Sequence, residues 1–175
     1  MKITITFDVR SAATAVALLF AVAIPALADI IVVTNTNDSG PGSLRQALAD
    51  VNDGDTITFA VTGMIGLTSG ELFVNNNVTI SGPGANMLTI TRNSATHFRI
   101  FHILRHRVNI EGVSITNGLA LALGKSPDAG GGIFCDDEEV NNERLAVTVS
   151  NCVISGNTAG GPGGFGGAAA SLSVP

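Results

Sequence analysis

Three stretches of this chain fall into one register: VTISGPGAN from Val78, VNIEGVSITNG from Val108 and VTVSNCVISGN from Val147. Val78, Val108 and Val147 align, as do Ile80, Ile110 and Val149. Gly82, Gly112 and Asn151 follow, residue types that accept a bend at positive φ. In the later two stretches Val113 meets Cys152, Ile115 meets Ile154, and Asn117-Gly118 meets Gly156-Asn157. Each unit predicts two short alternating strands joined by a bend and closed by an Asn/Gly corner. The starts lie 30 and 39 residues apart, within the range of repeat arrays. One such unit cannot bury its apolar side, whereas stacked units can. With Val108, Ile110, Val113 and Ile115 inward, Asn109, Glu111, Ser114 and Thr116 point out, and like residues stack at the strand spacing of about 4.8 Å. A β-sandwich would not require the alternation to restart in register after loops of different length.

A third strand position shows in FRIFHI, residues 98–103, matched by GGIFC, residues 131–135. The first is followed by Leu104-Arg105-His106-Arg107, the second by the longer acidic run from Asp136 to Arg144. The acidic run reads as an insertion at the corner that the basic turn occupies one coil earlier.

The first 28 residues do not belong to the repeat. Lys2 and Arg10 precede an apolar run from Ala12 to Ile24, and Pro25-Ala26-Leu27-Ala28 offers small residues before Asp29. This pattern predicts a secretory signal peptide, because the run is shorter than the ~20 residues a membrane-spanning helix needs. No later segment is apolar enough to span a membrane. The chain carries a net charge of −5, and losing Lys2, Arg10 and Asp8 with the leader makes the balance more acidic still. Nucleic acid is thereby disfavoured as a partner, since there is no surplus of cations to displace its counterions. Trp and Tyr are absent, which argues against a strong ring-stacking platform for sugars. Two cysteines, Cys135 and Cys152, fit an exported protein and leave two readings open, a disulfide or two buried thiols.

Between leader and repeat lies NDSGPGSLRQALADVNDGD, residues 37–55, whose glycine turn in front of a helix invites comparison with phosphate cradles. Neither fingerprint is met. Counting G-x-G-x-x-G from Gly40 ends on Arg45, and Ser43-Leu44 follows Gly42 where a P-loop needs Lys and a hydroxyl residue. A structural role fits better. Ser43 with Gln46 predicts a capping box, and Leu44, Ala47, Leu48 and Val51 form one apolar stripe that Asn52-Asp53-Gly54 ends. Flanked by strands at Ile30–Val33 and Thr56–Phe59, this helix is expected to lie across the open end of the first coil as a cap. The cap residues are thus Ser43, Leu44, Gln46, Leu48 and Val51.

With these motifs in place, the chain from Ile31 to about Gly167 resembles exported bacterial right-handed parallel β-helix repeat proteins. The carrying stretches are VTNTNDSGPGSLRQALADVNDGDTITF, ISGPGANMLTI, VNIEGVSITNG and GGGIF…VTVSNCVISGNTA. The likeness extends to the repeats of adhesin-like polymorphic outer-membrane proteins and, more distantly, to pectate-lyase-like solenoids. It implies an all-β, right-handed, single-stranded parallel β-helix with a short N-terminal amphipathic capping helix. The expected division is a signal peptide over 1–28, the cap over 29–60, β-helix coils over 61–167 and an irregular tail over 168–175. The tail Ala168–Pro175 lacks both the Val/Ile alternation and the bend, so the last coil is expected to be uncapped. A piece of a longer protein is the leading explanation, ahead of end-to-end self-association through that coil and of a tail folded back as a lid.

Four places could carry chemistry. The acidic run offers Asp136, Asp137, Glu138 and Glu139 as Ca²⁺ ligands, but it shows no EF-hand or nonapeptide spacing. Ion pairing with Arg105, His106 and Arg107 of the preceding coil uses the same carboxylates. His97, His102 and His106 with Arg92, Arg99, Arg105 and Arg107 form a basic strip suited to anionic polysaccharide, without a metal-binding or triad spacing. Glycoside hydrolysis needs two facing carboxylates, yet the outward rows, Thr79/Asn109/Thr148 and Ser81/Glu111/Ser150, hold one. A lyase can use arginine as base, and Arg99 and Arg105 are the residues available. The leading expectation is a non-catalytic extracellular or cell-surface structural or adhesin-like protein with no required cofactor, facing polysaccharide or a host or matrix surface. The alternatives are a Ca²⁺-assisted pectate-type polysaccharide lyase and a glycan-binding module.

Overall fold

A computed structural model describes residues 28–104, 106–121, 130–136 and 146–160 of the chain. Most of the signal-peptide segment, the acidic run past Asp136, Arg105, and the tail with its expected open end lie outside the described residues.

The alternating segments form short strands that climb in parallel coils. The first coil is strand β1 (Ile30–Val33) followed by helix α1 (Leu44–Asp50). The second is β2 (Thr56–Phe59), β3 (Gly63–Leu67) and β4 (Leu72–Val74). The third is β5 (Val78–Ser81), β6 (Leu88–Arg92) and β7 (Phe101–Leu104). The fourth comprises β8 (Arg107–Glu111), β9 (Ser114–Thr116), β10 (Leu119–Ala120) and β11 (Ile133–Asp136), and the fifth β12 (Ala146–Ser150), β13 (Val153–Ser155) and β14 (Thr158–Ala159). Strands of successive coils pair into a long sheet β1-β2-β5-β8-β12, a second β3-β6-β9-β13, a third β4-β7-β11 and a short pair β10-β14. Every pairing is parallel, so the chain is a parallel β-helix.

The register matches the repeat. Val78 pairs with Val108 and Val108 with Val147, Ile80 with Ile110 and Ile110 with Val149, and Ile115 with Ile154. The inward rows make one core: Ile57, Ile80 and Ile110 on the long sheet, Ile65, Ile90 and Ile115 on the second, Leu72, Phe101, Val74 and Ile103 on the third. All of these are essentially solvent-free. Strands β3 and β4, unmarked in the repeat, complete the second coil.

The cap is as expected in place and differs in one detail. Leu44, Ala47, Leu48 and Val51 are buried in the same core as the coils. Ser43 is the N-cap: its Oγ accepts from Gln46 N at 3.2 Å and donates to Gly40 O at 2.7 Å. The Gln46 amide does not reach back to close a box; it donates to Asp50 Oδ1 one turn on, at 2.8 Å. Ser43 N already donates to Gly40 O, so the box has no orphan donor to satisfy. The helix ends as the sequence predicts, with Asn52 N donating to Asp55 Oδ2 and Gly54 at φ +94°. Hydrogen bonds from Asn52 N and Asp29 N hold the Asp55 carboxyl below its ordinary pKa.

The cysteines are not bridged. Cys152 replaces Val113 at the bend of the next coil, buried, with Sγ 3.6 Å from Ile110 O, and burial raises its thiol pKa. Cys135 lies on the third sheet, in register with Ile103 and exposed. The two positions thus belong to different faces of the coil.

Candidate functional site

A cleft of about 380 Å³ lies at the corner between the second and third sheets. The turn Thr68–Glu71 forms one wall and the segment Thr96–Arg99 the other, with Ala120 and Leu121 beside them. Its geometry starts at the cap. Asp38, in the turn before the helix, takes Thr68 N, Thr68 Oγ1 and Ser69 N onto Oδ2 at 2.8–3.0 Å and Arg45 Nη2 onto Oδ1 at 2.7 Å. Arg45 also donates to the carbonyls of Gly70 and Glu71 at 2.7 and 2.6 Å. The helix thereby clamps the turn that carries Glu71.

The Glu71 carboxylate then reaches an imidazole and a guanidinium of the next coil. Its Oε1 lies 2.8 Å from His102 Nδ1 and its Oε2 3.4 Å from Arg99 Nε. The His102 ring sits between Phe73 and Phe134, its register neighbours on the third sheet, at centroid distances of 5.2 and 5.1 Å. The Arg99 guanidinium lies over the Phe134 ring, 4.2 Å from its centroid. Arg99 is 7% exposed and is held between a carboxylate and a ring face. That arrangement fixes the guanidinium in place against the third sheet.

Burial alone would raise the Asp38 pKa, but the hydrogen bonds from Arg45, Ser69 and Thr68 outweigh it and hold the carboxyl well below the usual range. A depressed folded-state value means that Asp38 contributes stability above its unfolded pKa of about 3.9. That contribution disappears as pH falls through the folded value. Asp38→Asn is therefore expected to lower the urea midpoint at neutral pH. The gap to the parent should close as pH falls below about 4. Midpoints measured between neutral and strongly acidic pH check this, and a pH-independent gap would mean that the clamp does not depend on the charge.

The other sequence candidates are spread out. His97 is exposed at the cleft wall, and His106 turns its Nδ1 onto Leu104 O. Arg92 donates to Asn117 O at 2.9 Å and to the carbonyls of Ser94 and Thr96, tying the corner after β6. Asp136 ends β11, while Asp137, Glu138, Glu139 and Arg105 lie outside the described residues. No three His, Cys, Asp or Glu side chains among the described residues are placed to hold a metal ion. On the long sheet Thr79, Asn109 and Thr148 form one outward row and Ser81, Glu111 and Ser150 the next. Glu111 Oε1 accepts from Ser81 Oγ at 2.6 Å. No described helix is long and apolar enough to cross a membrane. The Glu71 cluster escaped sequence reasoning; Glu71 directly precedes β4, whose Leu72 pairs with Phe101, so its nearness to Arg99 and His102 could be read only once β4 was recognised.

Over 137 residues the chain is 31% identical to "Probable pectate lyase C" of Aspergillus flavus, a match covering 73% of this chain and 32% of that protein. The chain thus spans about a third of the length of that relative. No family model matches the chain, and no solved structure matches it. The similarity joins the parallel β-helix to the pectate-lyase-like side of the resemblance read in the sequence.

Proposed function

We propose that this chain serves as a non-catalytic extracellular or cell-surface β-helix, an adhesin-like surface presented to polysaccharide or matrix. The observation that carries the reading is the outward face of the long sheet. From β2 to β12 its two outward rows are threonine, serine and asparagine apart from Glu111, which is itself hydrogen-bonded to Ser81, and on β1 the same rows end in the exposed Ile30 and Val32. Acid–base chemistry on a sugar needs groups that can exchange protons beside the substrate. The one arginine buried near the cleft is already engaged by Glu71 and Phe134.

A second reading, a Ca²⁺-assisted polysaccharide lyase, draws support from the similarity to a pectate lyase. Its Ca²⁺ candidates, Asp136 to Glu139, lie almost wholly beyond the described residues, and the described ones supply no alternative donor set. The two readings part in one assay. The purified protein is incubated with polygalacturonate, with Ca²⁺ and with chelator, and the ultraviolet absorbance of unsaturated uronides is followed. The surface reading expects no release in either condition. Release with Ca²⁺ that the chelator abolishes would establish the lyase instead.

A further inference from the structure

We infer that the free edge of β1 is a pairing surface for a second copy of this chain, joined antiparallel across a two-fold axis. The backbone fixes which groups are open. Thr56 N donates to Asp29 O and Ala60 N to Val33 O, each at 2.9 Å, so Asp29, Ile31 and Val33 turn their polar backbone groups toward β2. Ile30, Val32 and Thr34 turn theirs the other way. The crossover to the helix takes up the last of these, with Thr34 N donating to Gly42 O at 2.9 Å. No described residue pairs with the backbone of Ile30 or Val32 on that side. Their side chains, on the outer face of the sheet, are 69% and 45% exposed.

This edge carries none of the usual guards against pairing. The strand IIVV holds no charge, proline or glycine, and it runs beside β2 without a bulge. From β2 to β12 the same outward positions hold Thr, Ser, Asn or Glu, and they turn apolar at the open edge. Two open residues spaced by two are also self-complementary. With Ile31 on the axis, Ile30 lies opposite Val32 of the partner subunit and exchanges both backbone hydrogen bonds with it, and the symmetric pair does the same. That register sets Ile30 against Val32 on the outer face at both pairs, covering the exposed apolar surface of each copy. Gly42, already on Thr34, ends the pairing there. A two-fold contact closes on itself. Head-to-tail stacking onto the last described coil would instead set the half-buried Val147, Val149 and Ile154 against the polar face of α1, with Gln46 and Asp50. Strands of 4 residues bury less than the about 1,200 Å² of a standard stable interface, so the association is a weak one, with Kd of about 10 μM to 1 mM.

This inference goes beyond the surface role proposed above and stands with either the catalytic or the non-catalytic reading. Sedimentation of the full chain from about 10 μM to 1 mM is expected to show a monomer–dimer equilibrium and nothing larger. Amide hydrogen exchange over the same range locates the contact. Ile31, Val33 and Thr34 should be protected at every concentration, whereas Ile30 and Val32 should slow by about tenfold or more only as the dimer forms. Val32→Pro removes an edge donor that β2 does not use, and Val32→Lys keeps the backbone but places a charge at the seam. Each should weaken dimerisation at least about tenfold while keeping the parent circular dichroism spectrum. Thr79→Lys, two coils in on the outward row of Ile30, should leave it unchanged. Dimerisation that both Val32 variants leave intact, or that Thr79→Lys weakens as much, would overturn the inference. So would a monomer at every concentration. If Ile30 and Val32 were protected in that monomer, a segment of the same chain would cover the edge instead. Assemblies that grow without closing would replace the two-fold pair with head-to-tail stacking.

Discussion

Leu44→Ala is expected to lower the unfolding free energy by about 2–5 kcal/mol, whereas Gln46→Ala should cost no more than about 0.5 kcal/mol. Both residues sit in a helix of 7 residues, far too short to be stable by itself. What differs is the face. Leu44 has no solvent exposure and belongs to the same core as Ile57, Ile65 and Leu72, so removing its side chain opens a cavity where helix and coils meet. Gln46 contributes a single exposed i, i+4 hydrogen bond to Asp50. Ser43→Ala should fall between them, at about 1 kcal/mol, because it removes one capping acceptor. Deleting residues 37–54 is the extreme case. It removes the helix and also the crossover that lets β1 pair in parallel with β2, since a parallel connection needs a dozen or more residues. Cooperative unfolding should then be lost. Chemical denaturation of the set, followed by circular dichroism, gives the ranking. Equal costs for Leu44 and Gln46 would mean that the helix does not seal the core.

The cap and the ladders were legible for the same reason: each leaves a period in the sequence. Inward Val78, Ile80, Val108 and Ile110 repeat at two-residue spacing, and a one-residue slip would turn every one of them outward, so the pattern itself fixes the register. The stripe Leu44, Ala47, Leu48, Val51 does the same for a helix. The candidate site left no such trace. Glu71, Arg99 and His102 lie in coils of different length, and the clamp that positions Glu71 begins at Asp38, 30 residues before Thr68. Their meeting depends on how many residues each loop inserts between strands, which periodicity does not encode. Strands β3 and β4 were obscured for a related reason. Gly63 and Gly66 break the alternation of the one, and the other has three residues, Leu72 to Val74. The glycine of the bend was read correctly as a requirement and incorrectly as to cause at one of its three positions. Gly112 and Asn151 have φ of 64° and 51°, but Gly82 does not adopt positive φ. Its need for glycine is spatial.

That spatial requirement makes Gly112→Ala the second large effect, an expected loss of about 2–5 kcal/mol from left-handed backbone strain together with overpacking. The bends of two coils face each other here. A Cβ on Gly112 would lie 2.5 Å from Gly82 O, and a Cβ on Gly82 would lie 2.3 Å from Gly112 O. The approach is fixed by Gly82 N donating to Glu111 O at 2.8 Å and Gly84 N to Gly112 O at 2.9 Å. Neither backbone can retreat without giving up ladder hydrogen bonds. Substitutions can separate the two causes. Asparagine tolerates positive φ, so Gly112→Asn relieves strain but keeps the close contact, and most of the loss should persist. Asn151 has the same backbone conformation one coil on and is exposed, so Asn151→Ala should cost only the strain, about 1–2 kcal/mol, and Asn151→Gly close to nothing. The predicted order of denaturation midpoints, lowest first, is Gly112→Ala, Gly112→Asn, Asn151→Ala, Asn151→Gly. If Gly112→Asn recovered the parent midpoint, dihedral strain alone would account for the glycine, and the stacked bends would have to be farther apart than their hydrogen bonds imply.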